Sequence, residues 1–326
     1  MPRGAAVFTR RRLLLTALTG LLGPTNVGAQ QPTKIARIGV LTTEFPAALR
    51  QSLGELGYVE GRNVVFEIRE TQGRADRVDE LAVELARLKV DVLVGTNPAA
   101  VFGARRATTT IPIVMVYTPD PVELGLVASL ARPGGNITGV TSLSIDVSVK
   151  QLQLLREAVP RALRLAMFWN PESPWHPLVV KKLGEQPHVL GVPLQMIAIR
   201  QPDDFDAAFK TAVREGAGAA LALADPLTFA HRSRLAEFAT RHRLPVMGGL
   251  RAYAEAGCLM SYWADETELY RRAATYVDGI LKGASPATLP IEQPTTYQLI
   301  VNLRTARALG LTIPPSLVTR ADLVIQ

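Results

Sequence analysis

Cysteine is almost missing from this chain of 326 residues, with Cys258 standing alone. No intramolecular disulfide can form, and no cysteine pair is available to a metal. The thiol lies in the apolar run 256–260 and reads as a small core hydrophobe. His176, His188, His231 and His242 fall in separate segments without His-x-x-x-His spacing, so no metal centre is expected. Neither Gly-x-Gly-x-x-Gly after a strand nor Gly-x-x-x-x-Gly-Lys-Ser/Thr occurs, which leaves dinucleotide and P-loop sites unsupported. Gly-x-Ser-x-Gly and a paired-acid motif are missing too. These absences predict a protein that is not an enzyme and holds no cofactor. Acidic residues are absent before Glu44, and the apolar run at 13–22 is far shorter than the roughly 20 residues of a membrane span.

What the amino terminus does contain reads as a leader. Arg3, Arg10, Arg11 and Arg12 precede the apolar run, and Val27-Gly28-Ala29 offers small side chains before Gln30. A basic region, a short apolar region and a small-residue exit predict a signal peptide at 1–29, removed near Ala29. Paired Arg10 and Arg11 followed by leucines fit the twin-arginine export signal, and the expected location is the periplasm. No cysteine ends the apolar run, so no lipid anchor is expected. Four of the seven net positive charges sit in the leader, leaving +3 on the mature chain. That balance argues against a nucleic-acid partner.

Hydrophobic residues make up 48% of the sequence and charged ones 20%, enough core for two domains. The spacing predicts strands at 35–41, 64–68, 90–95 and 113–117, alternating with helices at 47–56, 76–88 and 98–108. The pattern restarts with a helix at 147–158. Strands at 165–169, 194–199, 219–223 and 245–247 then alternate with helices at 178–190, 203–214 and 227–241. Short β-branched runs at helical separations indicate parallel strand–helix–strand units. One stretch is echoed: Asp91-Val-Leu-Val-Gly-Thr96-Asn97-Pro98 by Ala219-Ala-Leu-Ala-Leu-Ala224-Asp225-Pro226. The economical reading is α/β, two Rossmann-like lobes with parallel sheets. Turn formers at 132–139 predict the first crossing between lobes. A stretch at 259–262 precedes a helix at 266–281, and Pro286, Pro290 and Pro294 mark a further passage before 297–301 and a helix at 304–309. Three crossovers predict a hinge. Lobe 1 is then residues 34–142 plus 260–288, and lobe 2 residues 143–259 plus 289–326.

A set of motifs carries a family resemblance. It includes Leu56-Gly-Tyr-Val-Glu-Gly-Arg-Asn63, Leu88-Lys-Val-Asp-Val92, Ile111-Pro-Ile-Val114 and Phe168-Trp-Asn-Pro171. Arg132-Pro-Gly-Gly-Asn-Ile-Thr-Gly139, Asp225-Pro-Leu227, Arg271-Arg-Ala-Ala-Thr-Tyr-Val277 and Leu309-Gly-Leu-Thr-Ile-Pro-Pro-Ser316 continue it. From Ile35 onward the chain resembles the type I periplasmic substrate-binding proteins of ABC transporters. Within them it is similar to the tryptophan/tyrosine-type group often labelled uncharacterised ABC transporter substrate-binding protein. The resemblance implies the type I periplasmic binding protein fold and a monomer that serves a permease and its ATPase. Gly248-Gly249-Leu250 departs from the family's common Tyr-Gly-Phe, and Trp263-Ala264 from its frequent Gly-Pro. The loop from Pro171 to His176 is bulkier than usual, so a relative's ligand does not transfer directly.

In open α/β sheets a ligand lies beyond the carboxyl ends of the strands. That rule selects Thr42, Thr43, Thr96, Asn97, Tyr117 and Asp120 in the first lobe. In the second it selects Trp169, Asn170, Asp225 and Gly249, with Ser261 and Tyr262 on the return crossing. Asn97-Pro98 and Asp225-Pro226 also read as helix N-caps followed by an N1 proline, a role compatible with lining a cleft. Threonine hydroxyls and helix N-termini suit a carboxylate. Asp120 and Asp225 suit a positive group, and Tyr117 or Trp169 could supply a stacking face. The expected function is the solute-binding component of an ABC importer, capturing a small organic solute such as an amino acid or related carboxylate. An exported module feeding a sensor is the alternative, and an exported α/β enzyme stands behind it.

Overall fold

The computed structural model describes residues 35–142, 144–185 and 191–326. The leader and the far end of the helix expected at 178–190 lie outside the described residues.

The first sheet is built from β1 (Ala36–Thr42), β2 (Val64–Glu70), β3 (Val92–Gly95), β4 (Ile113–Pro119) and β5 (Ile137–Ser142). Helices α1 (Ala47–Glu55), α2 (Val78–Arg87) and α3 (Pro98–Ala107) connect them. All five strands are parallel, in the order β2-β1-β3-β4-β5. Parallel strands are buried on both faces, and side chains alternate between those faces. Ile38, Val40, Val92 and Val94 accordingly pack with Leu49 and Leu53 of α1, while Leu41 and Leu93 pack with α2 and α3.

The second lobe follows with α4 (Ser144–Ala158), β6 (Leu165–Trp169), α5 (His176–Gly184), β7 (Leu194–Ala198), α6 (Asp204–Arg214) and β8 (Ala219–Ala222). It continues with α7 (Pro226–Ala230), α8 (Arg232–Arg241), β9 (Val246–Gly248), α9 (Arg251–Glu255) and β10 (Met260–Ala264). The chain then crosses back, and α10 (Glu266–Leu281) packs against α1 and β4 of the first lobe. A final crossing brings β11 (Tyr297–Asn302), α11 (Leu303–Ala308), α12 (Pro315–Arg320) and β12 (Leu323–Ile325) to the second lobe. The second sheet runs β12-β11-β10-β9-β8-β6-β7, with β10 and β11 antiparallel and the other pairs parallel. Stripped of β11 and β12, its order repeats that of the first sheet strand for strand, so β8 is the counterpart of β3. The echoed motif is therefore one structural unit used twice.

Four expectations need correction. Residues 132–139 are not the crossing: Ile137–Ser142 forms the edge strand β5, and the chain leaves the lobe after Ser142. Its threonines disguise it, because their hydroxyls find buried carbonyls: Thr138 donates to Leu289 at 2.8 Å and Thr141 to Thr118 at 2.7 Å. Residues 260–264 belong to the second sheet, since β10 pairs with β9 and β11 there, and the crossing falls at Asp265, the N-cap of α10. The last crossing comes after Glu292, whose carbonyl still accepts the Thr141 amide of the first lobe. The helix expected at 227–241 is broken at His231, which leaves helical geometry at φ −106°. Cys258 is fully buried in the core of the second lobe, and burial pushes its thiol up to about 12.

Gly139 admits close packing within β4 and β5. Its φ is +125°, and a Cβ there would sit 2.3 Å from the Met115 carbonyl oxygen. Gly139→Ala should cost roughly 2–6 kcal/mol, the sum of backbone strain and overpacking. Gly135, whose added Cβ would meet nothing within 4 Å, is the control and should change by less than about 0.5 kcal/mol on conversion to Ala. Urea unfolding of the two variants checks both values.

Candidate functional site

The carboxyl ends of the two sheets form the walls of a single cleft. Thr42, Thr43 and Glu44 follow β1, Thr96-Asn97-Pro98 follows β3, and Tyr117 lies near the end of β4. Facing them are Ala224-Asp225-Pro226 after β8, Phe229 on α7 and Trp175 before α5. Leu250, Trp263 of β10, and Glu266 and Tyr270 of α10 complete the lining. The enclosed cavity is narrow, about 90 Å³.

Each half is held by its own hydrogen bonds. Asn97 caps α3, accepting the Ala100 amide at 2.9 Å, and Pro98 follows it at the first helical position. Asp225 does the same for α7: its Oδ1 accepts the Thr228 amide at 2.8 Å, and Thr228 Oγ1 accepts the Asp225 amide at 3.2 Å. Oδ2 of Asp225 accepts from Asn170 Nδ2 at 2.7 Å. Both oxygens of this carboxylate are thus engaged inside the second lobe. In the first lobe Thr96 Oγ1 donates to Thr42 Oγ1 at 2.7 Å, and Thr42 donates onward to the Glu44 carbonyl at 2.7 Å. Thr43 Oγ1 accepts from Asn97 Nδ2 at 3.4 Å.

His176 ties two of these loops together. Its ring is fully buried, Nδ1 accepts from the Asn170 amide at 2.9 Å, and Nε2 faces the Ala224 carbonyl at 3.4 Å. An acceptor Nδ1 leaves the proton on Nε2, the neutral form, and burial lowers the pKa below the ordinary 6.5. The ring of Trp175 meets it edge-on at 4.4 Å, so the aromatic wall of the cleft rests on this histidine.

Tyr117 reaches the cleft through a break in strand alternation. Pairing of β4 with β5 shifts register between Met115 and Thr118, and Tyr117 has φ +62°. Val116 and Tyr117 consequently lie on the same face, toward α10. Such backbone strain, about 1–3 kcal/mol, recurs at ligand sites. Tyr117 Oη donates to Glu266 Oε1 at 3.1 Å, and its ring packs edge-on against Tyr270 at 5.5 Å. Desolvation raises Tyr117 well above 10 and also raises Glu266 above the usual carboxylate range.

The lobes touch around the mouth. Arg232 of α8 pairs with Glu44 at 3.2 Å, and Lys182 of α5 pairs with Glu123 of the first lobe. Gly73, at φ +81°, lies so close to α7 that a Cβ would come within 2.7 Å of Ala230 Cβ and 2.9 Å of the Pro226 carbonyl. The structure is therefore a closed one.

Of the residues singled out from sequence, Thr42, Thr43, Thr96, Asn97, Tyr117 and Asp225 line the cleft. Asn170 stands behind Asp225 and borders a smaller adjoining chamber. Gly249 backs the wall, where a Cβ would lie 3.1 Å from Ala224 Cβ and 3.3 Å from the Trp263 ring. Trp169 packs beside the core formed by α4 and α5. Asp120 occupies a turn at φ +37° beyond β4 and is not in the wall. Ser261 is buried within β10, and Tyr262 stacks on Tyr297 at 5.6 Å. Strand alternation explains the last miss: with Trp263 facing the cleft, its neighbour Tyr262 must face away. Glu266 and Tyr270 line the cleft although the strand-end rule does not select them. Their i, i+4 spacing at the start of a helix, just after Trp263, was the available signal.

The neutral state of His176 sets a pH dependence. Unfolded histidine takes up a proton near 6.5 and the buried ring resists it, so the unfolded chain binds more protons below that pH. Stability should be complete above pH 6.5 and fall as the pH drops through and below it. Urea midpoints measured from pH 8 to 5 should show that loss in the wild type, and a smaller loss in His176→Gln, whose side chain does not titrate.

A profile of the family described as ABC transporter substrate binding protein matches residues 44–325. The tyrosine-binding protein of Clostridioides difficile is 24% identical over 262 residues, covering 80% of this chain and 75% of that one. A conserved domain protein of Vibrio cholerae superposes with a TM-score of 0.82 at 26% identity, covering 89% of this chain and 100% of that one. An ABC domain of Streptococcus pneumoniae in complex with L-Trp gives 0.81 at 24% identity, covering 89% and 99%. The two structures share the paired-lobe α/β fold of this chain, and the matched family is one of substrate-binding proteins. With its two α/β lobes closed on a small-molecule cleft, the chain belongs to the ABC transporter substrate-binding protein family.

Proposed function

We propose that this protein is the exported receptor of an ABC importer and that it captures an amino acid, or a closely related small solute, between its lobes. One observation carries the reading. The two copies of the repeated turn, Thr96-Asn97-Pro98 and Ala224-Asp225-Pro226, line one cleft from opposite sides. A solute held there touches both lobes only when they are closed, so binding shifts the population toward closure and gives a permease a shape to read. Aromatic rings from both lobes (Tyr117, Tyr270, Trp175 and Phe229) suit a solute with a planar or apolar body.

The tyrosine-binding relative and the tryptophan-bound structure support the amino-acid class. The leader read at 1–29 supports export to the periplasm, with Arg10 and Arg11 favouring the twin-arginine route. Among the described residues no helix is long and apolar enough to cross a membrane. The receptor acts as a monomer that hands its solute to the permease while the ATPase drives transport.

Closure has a measurable signature. L-Tyrosine or L-tryptophan at 100 times its dissociation constant should add about 2.7 kcal/mol of stability. It should also reduce the radius of gyration in solution scattering. Lys182 does not line the cleft, yet Lys182→Gln should weaken affinity by up to roughly fivefold, the worth of one exposed ion pair. High salt should weaken the wild type similarly and the variant less. An unchanged radius at saturation, with full affinity in the variant, would count against closure around the solute.

A further inference from the structure

The turn after β2 meets the second lobe outside the main cleft. Gln72 and Gly73 both take left-handed backbone there, at φ +51° and +81°. Gln72, Arg74 and Ala75 are exposed, yet Gly73 among them is buried. The atoms nearest a Cβ built on Gly73 belong to α7 of the second lobe. They are Ala230 Cβ at 2.7 Å, and the Pro226 carbonyl oxygen and carbon at 2.9 and 3.5 Å. Positions 226 and 230 share one face of that helix, so the bare Cα of Gly73 lies flat against a turn of α7. Gly73 borders the smaller adjoining chamber and is not part of the main cleft's lining.

Both sides of this contact are tied to the cleft walls. In the first lobe the Thr71 amide donates to the Thr42 carbonyl at 2.8 Å, and the Gln72 amide to the Thr43 carbonyl at 3.3 Å. The Arg74 amide closes the turn on the Thr71 carbonyl at 3.0 Å. The turn is thereby fixed to the end of β1, whose Thr42 and Thr43 line the cleft. On the other side α7 starts at Pro226 behind its Asp225 cap, and both residues line the opposite wall. Neither side gives way without moving its own wall, so spacing at this contact fixes the spacing of the walls.

We propose that Gly73 is the closure stop of this receptor, a positioning residue whose missing side chain sets how far the lobes approach. This rests on the reading that the lobes close around a solute, and adds the element that limits closure. A side chain at 73 holds the Thr42-Thr43 and Asp225-Pro226 walls apart. A solute then engages one lobe fully but not both, and affinity falls although no solute contact has been removed.

Two measurements on the mature protein test this. The first needs no solute. Gly73→Cys with Ala230→Cys places thiols across the contact, and a disulfide needs Cβ atoms about 3.5–4.5 Å apart. Parting the lobes by roughly 1 Å supplies that spacing, so mild oxidation should bridge the pair, read as a shift in non-reducing gel mobility. Cys258 is fully buried and stays out of the exchange. A pair that stays reduced while thiol reagents label both positions would overturn the stop.

The second measurement is calorimetry with L-tyrosine and L-tryptophan. Gly73→Ala should bind them roughly 10- to 100-fold more weakly, the effect of overpacking a rigid contact. Gly61→Ala carries similar backbone strain, at φ +79° with nothing within 4 Å, and should bind like the wild type. Adding Ala230→Gly to Gly73→Ala removes the nearer clash and should restore part of the affinity. Melting curves confirm that each variant is folded. Should Gly73→Ala misfold, Ala230→Leu decides, because it enlarges the same contact from the helix side and should weaken binding similarly. Wild-type affinity in Gly73→Ala, or an equal loss in Gly61→Ala, would overturn the stop. Failure of both amino acids to bind the wild type would overturn the amino-acid reading alone, and the bridging result would then decide the stop.

Discussion

Parallel strands buried on both faces must emit all their carboxyl ends along one edge, and that constraint governs the rest of this molecule. Each strand runs out of hydrogen-bonding partners at that edge and turns into a helix, so polar caps and unpaired amides gather there. With two sheets of matching strand order, the edges can face each other, and the space between becomes a cleft lined by caps from both sides. Asn97 and Asp225 are the same device in the two lobes, each satisfying a helix amide while presenting its loop to the cleft. The cleft is where two backbones need capping.

The two lobes contribute differently. In the second lobe His176, Asn170 and Asp225 form a closed hydrogen-bond set in which nearly every polar atom has a partner. Such a set makes a rigid wall, since buried polar networks are worth most when complete. The first lobe and α10 instead carry a left-handed Tyr117 and, hydrogen-bonded to it, a Glu266 whose pKa burial raises. The ion pairs at the mouth are exposed and individually weak, which allows closure to remain reversible.

Much of this was legible in the residues themselves. Short apolar runs at helical separations revealed both sheets, because a strand buried on two faces has no room for polar side chains. The repeat of Asn97-Pro98 by Asp225-Pro226 located the two facing turns, since an N-cap followed by proline has a local cause that any fold must respect. The strand β5 was not legible: Thr138, Thr141 and Ser142 look like a loop until the carbonyls that receive their hydroxyls are known.

The sequence by itself determined the paired α/β lobes, the family and the strand ends from which a site must be built, all of them consequences of local pattern. Tertiary structure decided which side chains at those ends face the cleft. Asp225 turned inward to Asn170 and Thr228, and Tyr262 turned to Tyr297. Trp263, Glu266 and Tyr270 reached the cleft only because the chain crosses between lobes at Asp265, within about a turn and a half of all three. A crossing point depends on which sheet a strand joins, and that is settled by pairing partners distant in sequence, not by the strand's own residues.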